Sequence, residues 1–229
     1  MNKPLYIVIG AYGSGKSEFS LHLAQSLNTP EHEVVLADMD VVNPYFRSRD
    51  VQEEFAALGI EVIAPEGQFK HADLPMLSPR IKGAIENPAK TVILDVGGDP
   101  AGCRTLGRFV DAATLRGYEM LFVVNTFRPF TSSVEEVLRM KDQLEFASKL
   151  KITEFVCNNN LMEYTTPEVV QQGIDILAEC GRLTGLPFRR YLVLDAYADI
   201  VPAGLGGKER LVMAYTLKKP WEGLALKGI

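Results

Sequence analysis

Short apolar runs alternate along the chain with segments in which apolar residues recur three or four positions apart, the first pattern marking buried strands and the second helices packed on them. Leu5–Ile9 is the first apolar run, followed by Val34–Ala37, Ile60–Ile63, Thr91–Leu94, Met120–Val124, Glu154–Cys157 and, as the last strand expected, Tyr191–Leu194. Between them Phe19, Leu23 and Leu27 form a helical stripe that ends at Asn28-Thr29-Pro30. Asp50 with Glu53 reads as a capping box for a short helix using Val51, Phe55 and Leu58 and stopped by Gly59. Ser78-Pro79 opens a helix through Ile85. Ser132 and Glu135 cap a long helix with Val134, Val137, Leu138, Leu144 and Ala147 inward, and Thr166-Pro167 starts another with Val170, Ile174 and Leu177 inward, ending near Gly185. From Ala64 to Pro88 prolines interrupt the pattern, which predicts an irregular excursion.

The strands are apolar on both faces and alternate with helices, with no internal repeat or low-complexity segment. That order predicts an α/β fold: a doubly wound, mostly parallel sheet with helices on both faces, one domain over residues 1–229. Ligands of such sheets bind outside the carboxyl ends of the strands. The sparse polar chemistry of this chain falls there: the loop after the first strand, Asp38 and Asp40 after the second, Asp95 to Gly98, Asn125 and Asn158.

The loop after the first strand is Gly10-Ala11-Tyr12-Gly13-Ser14-Gly15-Lys16-Ser17, a P-loop. Gly10, Gly13 and Gly15 stand where the backbone must wrap tightly enough for its N–H groups, that of Ser14 among them, to enclose phosphates. Lys16 supplies the cation for the β- and γ-phosphates, Ser17 a hydroxyl for Mg²⁺, and the following helix its positive end. Asp95 follows four apolar residues and precedes Gly98 by three, so that its carboxylate reaches the Mg²⁺ shell while the Gly98 N–H faces the γ-phosphate. Asp99-Pro100-Ala101-Gly102 belongs with it as a mobile segment that senses that phosphate. Asp38 and Asp40, two residues apart on an extended backbone, share a side and aim at the metal; Asp40 is the candidate for positioning the attacking water, Asp38 for ordering the loop or the outer metal shell.

The P-loop, Asp38-Met39-Asp40 and Leu94-Asp95-Val96-Gly97-Gly98 together resemble the CobQ/CobB/MinD/ParA group of P-loop ATPases, and the stretch Asp38 to Arg47 resembles a poorly characterised ATP-binding subgroup of it. The resemblance implies a P-loop NTPase fold, an ATP-dependent sandwich dimer with Mg²⁺, and slow hydrolysis that switches the binding of a protein partner; Asp40 matches the group's switch I aspartate. Where the group usually carries a second P-loop lysine that reaches the partner's nucleotide, this chain has Ala11, followed by Tyr12 where glycine is usual. Arg47, Arg49 and Arg128 are candidates for the missing charge in trans.

ATP rather than GTP is expected from an absence. Guanine readers use N-K-x-D, and Asn158-Asn159-Asn160-Leu161 has neither that lysine nor that aspartate. An amide can pair with the adenine edge, which makes Asn158 or Asn159 the base contact and Asn125 a weaker one. The glycine-bearing loop Asp195–Lys208 is a candidate cover for the base.

Composition narrows the partners. With 24 Lys+Arg against 29 Asp+Glu, a net charge of −5 and no long basic run, nucleic acid is not expected as a main partner. Cys103, Cys157 and Cys180 are far apart with no C-x-x-C, which fits buried, reduced thiols and a cytoplasmic setting. No apolar run is long enough to span a bilayer, and Trp221–Ile229 is too short and too weakly amphipathic for an anchor. Three other readings stay open: a small-molecule kinase or ligase with a pocket in Glu66–Pro88 using His71 and Asp73, a GTP-dependent maturation factor, and a nucleotide-bound scaffold that does not hydrolyse.

Overall fold

The computed structural model describes residues 3–29, 31–40, 52–64 and 77–216. Its strands are β1 (Leu5–Ile9), β2 (Val34–Met39), β3 (Glu61–Ile63), β4 (Thr91–Val96), β5 (Glu119–Val124), β6 (Glu154–Cys157), β7 (Phe188–Leu194) and β8 (Glu209–Met213). Its α-helices are α1 (Lys16–Leu27), α2 (Gln52–Ala57), α3 (Arg80–Glu86), α4 (Pro100–Cys103), α5 (Val110–Arg116), α6 (Val134–Ser148) and α7 (Pro167–Thr184). The strands form one sheet in the order β3-β2-β4-β1-β5-β6-β7-β8, and every pairing is parallel.

The two apolar faces of each strand explain the two layers. Val8, Leu36, Ile93 and Val123 pack with Phe19, Leu23 and Ala24 of α1 and Phe55 of α2 on one side. On the other, Ile7, Val35, Leu94 and Phe122 pack with residues of α3 to α7, among them Ile85, Leu144 and Ile174. Sequence neighbours β1 and β2 are separated by β4, and the chain crosses to the far side of β1 to place β5. The carboxyl end of β1 therefore lies at the switch point of the winding, where a crevice opens for a ligand.

Several boundaries differ from the pattern. β2 and β4 run two residues further than their apolar stretches, so Asp38, Asp95 and Val96 are inside the sheet. The cap of α6 is Ser133, whose hydroxyl accepts from Glu136 N, one residue beyond the expected pair; Ser132 instead donates to the Glu136 carboxylate. α3 begins at Arg80, with Ser78 Oγ accepting from Arg80 N. Asp99-Pro100-Ala101-Gly102 opens α4, where Asp99 caps the helix by accepting from Gly102 N at 2.5 Å. The expected capping box at Asp50 and Glu53 rests on side chains outside the described residues.

Tyr191–Leu194 is not the last strand. β8 pairs in register with Arg190–Leu194 of β7, and its Glu209 and Val212 are exposed. A sheet edge needs apolar side chains at few positions, so the period-two signal in Glu-Arg-Leu-Val-Met is weak. Asp195–Lys208 is accordingly the connection between β7 and β8, tied down by Tyr191 Oη donating to Pro202 O at 2.5 Å and by Arg210 donating to Ala198 O at 2.7 Å.

Candidate functional site

The loop between β1 and α1 is shaped by its glycines. Gly13 and Gly15 have φ of 74° and 84°, in the left-handed region that β-carbons disfavour. Gly10 faces a different limit, since a β-carbon there would stand 2.3 Å from Val123 O of β5. The turn closes through Ser14 N donating to Ala11 O at 3.0 Å, and Phe19 N donates to Gly15 O at 3.0 Å as α1 begins.

Under the first turn of α1 the polar residues of β2 and β4 converge on those of α1. Asp38 and Asp95 are direct neighbours across β2 and β4 and lie on the α1 face of the sheet. Lys16 Nζ stands 3.4 Å from Asp40 Oδ2, and Asp40 N donates to Asp38 Oδ1 at 3.0 Å. Ser20 Oγ donates to Asp95 Oδ1 at 3.3 Å, while Asp95 Oδ2 and Ser14 Oγ are buried without a hydrogen-bond partner. Burial pushes the Asp95 carboxyl up to about 6, with the Lys16 charge and the Ser17 and Ser20 hydroxyls pulling against that rise and Asp40 adding to it. Among the described residues no three His, Cys, Asp or Glu side chains form a metal cage.

The segment after β4 is pressed on this loop. A β-carbon on Gly98 would stand 2.9 Å from Tyr12 N and 3.1 Å from Gly10 O, so the glycine lies against P-loop backbone. Gly97 is likewise packed on Gly102 of α4, where an added β-carbon would be 2.9 Å from the Gly102 Cα and 3.4 Å from Asp40 Oδ1. The segment after β4 thus bridges the P-loop, through Gly98, to α4 and Asp40, through Gly97.

A cleft of about 330 Å³ opens beside the loop, lined by Gly13, Gly15, Lys16 and Ser17 together with Asn158, Asn160, Met162, Leu194, Met213 and Tyr215. Of the residues expected at a base, Asn158 is on this wall and donates to Ser14 O at 2.7 Å. Asn159 is not. It is buried beneath α7, its Oδ1 accepting from Thr126 N at 2.8 Å and its Nδ2 donating to Thr126 Oγ1 at 2.7 Å and Val169 O at 3.1 Å. Asn125 is similarly spent, its amide donating to Asn160 O and accepting from Phe127 N. The β7–β8 connection does not line the cleft; strand ends do. Glu18, which also lines it, accepts from Thr216 N and so ties the segment after β8 to α1.

Sequence reasoning passed over Glu18, Asn160, Met162, Met213 and Tyr215. Glu18 carried no signal of its own, since consecutive helix residues point to different sides and its place beside Ser17 does not turn it to the cleft. The others come from strands far apart in sequence, and β8 was not foreseen. Arg128, a candidate for acting in trans, donates through Nε to Gly13 O of its own chain at 3.0 Å. Arg47, Arg49, His71 and Asp73 lie outside the described residues, as does Trp221–Ile229. Cys103, Cys157 and Cys180 are free and buried. Among the described residues no helix is long and apolar enough to cross a membrane.

No family model and no curated protein matches the sequence. Solved structures do match the fold. The cell division protein FtsY of Thermotoga maritima aligns with a TM-score of 0.59 at 18% identity, covering 83% of this chain and 62% of its own. Chloroplast FtsY of Physcomitrella patens gives 0.58 at 17% identity over 88% of this chain and 62% of its own. FtsY of Elizabethkingia anophelis, solved in complex with GDP, gives 0.52 at 14% identity over 84% and 58%. This chain spans about three fifths of the length of these proteins. At such identities the likeness establishes an α/β P-loop NTPase fold and does not single out the CobQ/CobB/MinD/ParA group.

Proposed function

We propose that this protein binds ATP with Mg²⁺ and hydrolyses it slowly, as a nucleotide-driven switch for a protein partner. The observation that carries the reading is the buried group of Lys16, Asp40, Asp38 and Asp95 beneath a loop whose glycines leave its backbone open to phosphates. So much buried charge is costly without a ligand, and a triphosphate with a divalent cation is the ligand whose charges complement it.

The donors suit Mg²⁺. They are all oxygens, few in number, and one of them, Asp95 Oδ2, is buried without a hydrogen bond; Mg²⁺ is bound by one or two carboxylates together with substrate phosphates. Ser17 would hold the ion directly, with Asp95, Asp38 and Asp40 as the carboxylates around it. Bound there, Mg²⁺ would neutralise charge on the β- and γ-phosphates.

In hydrolysis a water oxygen attacks the γ-phosphorus, the bond to the β-phosphate oxygen breaks, and ADP leaves with the electron pair. Asp40, released from Lys16 as the phosphates arrive, acts by orienting that water, whose proton ends on the released phosphate. Lys16, once its phosphates arrive, stabilises the leaving oxygens. Gly98 carries the signal: a change at the γ-phosphate moves the backbone pressed on Tyr12, and α4 moves with it. That displaced surface is what a protein partner, or a second copy in an ATP-dependent homodimer, would read.

The base assignment rests on the wall of Met162, Leu194, Met213 and Tyr215 with the amides of Asn158 and Asn160, where no N-K-x-D stands. Because the FtsY of Elizabethkingia anophelis was solved with GDP, both bases belong in the test. Phosphate release and nucleotide titration are measured with ATP and GTP, with and without Mg²⁺. Metal-dependent turnover of ATP without an added metabolite is expected; a strict preference for GTP overturns the base, and γ-phosphate label appearing in a metabolite overturns hydrolysis.

A further inference from the structure

The cleft needs more positive charge than Lys16 supplies. Lys16 is already paired with Asp40, and Asp38 and Asp95 lie buried beside it. Among the described residues that line the cleft, the cations are Lys16 and Arg128, against the carboxylate of Glu18.

Arg128 is placed by a loop with little freedom. After β5, Asn125 O accepts from Arg128 N at 3.1 Å and from Thr131 Oγ1 at 2.9 Å, Asn125 Oδ1 accepts from Phe127 N at 3.0 Å, and the Asn125 amide is anchored on Asn160 O at 3.1 Å. The same loop holds Phe130 at φ 69°, a left-handed conformation that a phenylalanine adopts only when its surroundings impose it. The guanidinium lands on the crest of the P-loop: Nε donates to Gly13 O at 3.0 Å, and a β-carbon on Gly13 would lie 3.2 Å from Nε and 3.6 Å from Cζ. Among the described residues no carboxylate pairs with Arg128, and its two terminal nitrogens make no hydrogen bond. A guanidinium fixed through one nitrogen, with its fork unspent over a phosphate loop, has the geometry of an anion clamp.

We propose that Arg128 is a second phosphate-binding cation acting within its own chain: Nε fixes the Gly13 carbonyl while the terminal nitrogens grip the terminal phosphates of the nucleotide. The inference rests on the nucleotide reading above and gives Arg128, a candidate in trans by the sequence, a role within its own chain. Holding the Gly13 carbonyl also fixes the peptide whose N–H, on Ser14, donates to Ala11 O. The loop is therefore presented already folded, which lowers the ordering cost of binding.

The test is titration of wild type, Arg128→Ala and Arg128→Lys with Mg·ATP, ADP and AMP, beside thermal unfolding of each. A lost charge-assisted pair predicts that Arg128→Ala weakens ATP about 10- to 100-fold, ADP less and AMP hardly at all. Arg128→Lys, which keeps the charge and loses the fork, falls between, and the unfolding temperature stays put. An equal loss for all three nucleotides, a loss matched by a fall in melting temperature, or no loss overturns the proposal. So does recovery of turnover when Arg128→Ala is mixed with Lys16→Ala, which would put the arginine across an interface. Wild type that binds none of the three overturns the nucleotide reading itself, and this proposal with it.

Discussion

Lys16 Nζ and Asp40 Oδ2 are 3.4 Å apart, both groups almost wholly buried, at the point where the P-loop turns into α1. The ammonium that a triphosphate would claim is held by a carboxylate from another strand. Nucleotide binding must therefore exchange one anion for another, which lowers net affinity and frees Asp40 at the same moment. Asp40→Asn keeps the shape and removes the competing charge, so ATP affinity is expected to hold or rise while phosphate release falls by about 100-fold or more. Lys16→Ala is expected to lose binding outright. Unchanged turnover in Asp40→Asn, measured by phosphate release at saturating ATP, would remove Asp40 from the reaction.

Asp95 predicts a pH dependence whose sign follows from its burial. Its carboxyl is raised to about 6 from an ordinary 3.8, so the folded chain holds this proton more tightly than the unfolded one. The associated stability is complete below the ordinary value and is lost as pH rises through about 6, a loss of about 3 kcal/mol at neutral pH if nothing else compensates. Asp95→Asn carries no such charge. In the nucleotide-free protein its melting temperature is expected to exceed that of wild type at pH 7.5, with the gap closing toward pH 4.5. The same variant is expected to lose Mg²⁺-dependent turnover. A gap independent of pH would contradict the assignment.

Gly98 tests the mechanical link between the nucleotide loop and α4. A β-carbon there meets the backbone of Tyr12 and Gly10 at 2.9 and 3.1 Å, and backbone cannot rotate away as a side chain would. Gly98→Ala is expected to push the segment after β4 off the P-loop, with ATP still bound but turnover reduced by about 10-fold or more. Amide exchange across residues 97–103, compared with and without nucleotide, is expected to lose its nucleotide dependence. Exchange that still responds in the variant would show that α4 is informed by another route.

Which parts of this arrangement were legible in the chain follows from the range of the signal. β1, the P-loop and α1 are contiguous, and glycine spacing plus an apolar run fixed them together. The doubly wound architecture was legible because each strand is apolar on both faces, which only a covered parallel sheet explains. The pairing of Lys16 with Asp40 joins separate strand ends, and no periodicity encodes a distance of that kind. Asn159 was misplaced for a related reason: three consecutive asparagines look alike in sequence, and only their contacts separate them, the middle one packing on Gly173 of α7, whose β-carbon would overlap its amide, while Asn158 reaches the P-loop. Glu-Arg-Leu-Val-Met hid β8 because an edge strand is held by its backbone ladder rather than by apolar alternation.

Arg116 gives the last prediction, at the opposite end of the sheet from the cleft. Its guanidinium faces carbonyls rather than an acid: Nη1 donates to Ala84 O at 3.1 Å and Ile85 O at 2.9 Å, and Nη2 to Lys3 O at 3.0 Å, to Pro4 O at 3.3 Å and to Lys90 O. The first two are last-turn carbonyls of α3, where a cation also meets the negative end of the helix, and the others lead into β1 and β4. Burial lowers the guanidinium's affinity for its proton without neutralising it at any ordinary pH. Arg116→Leu takes the charged donor from all five carbonyls and leaves Ile85 O, Lys3 O and Lys90 O partly buried without it, a cost of about 2–4 kcal/mol. A corresponding fall in the urea midpoint is expected, with Arg116→Lys recovering part of it, because an ammonium reaches fewer of the five. Below the transition, nucleotide affinity and turnover of both variants should match wild type, since β1 delivers the P-loop from its other end. A variant that kept its midpoint and lost nucleotide binding would mean that this clamp serves the site rather than the sheet.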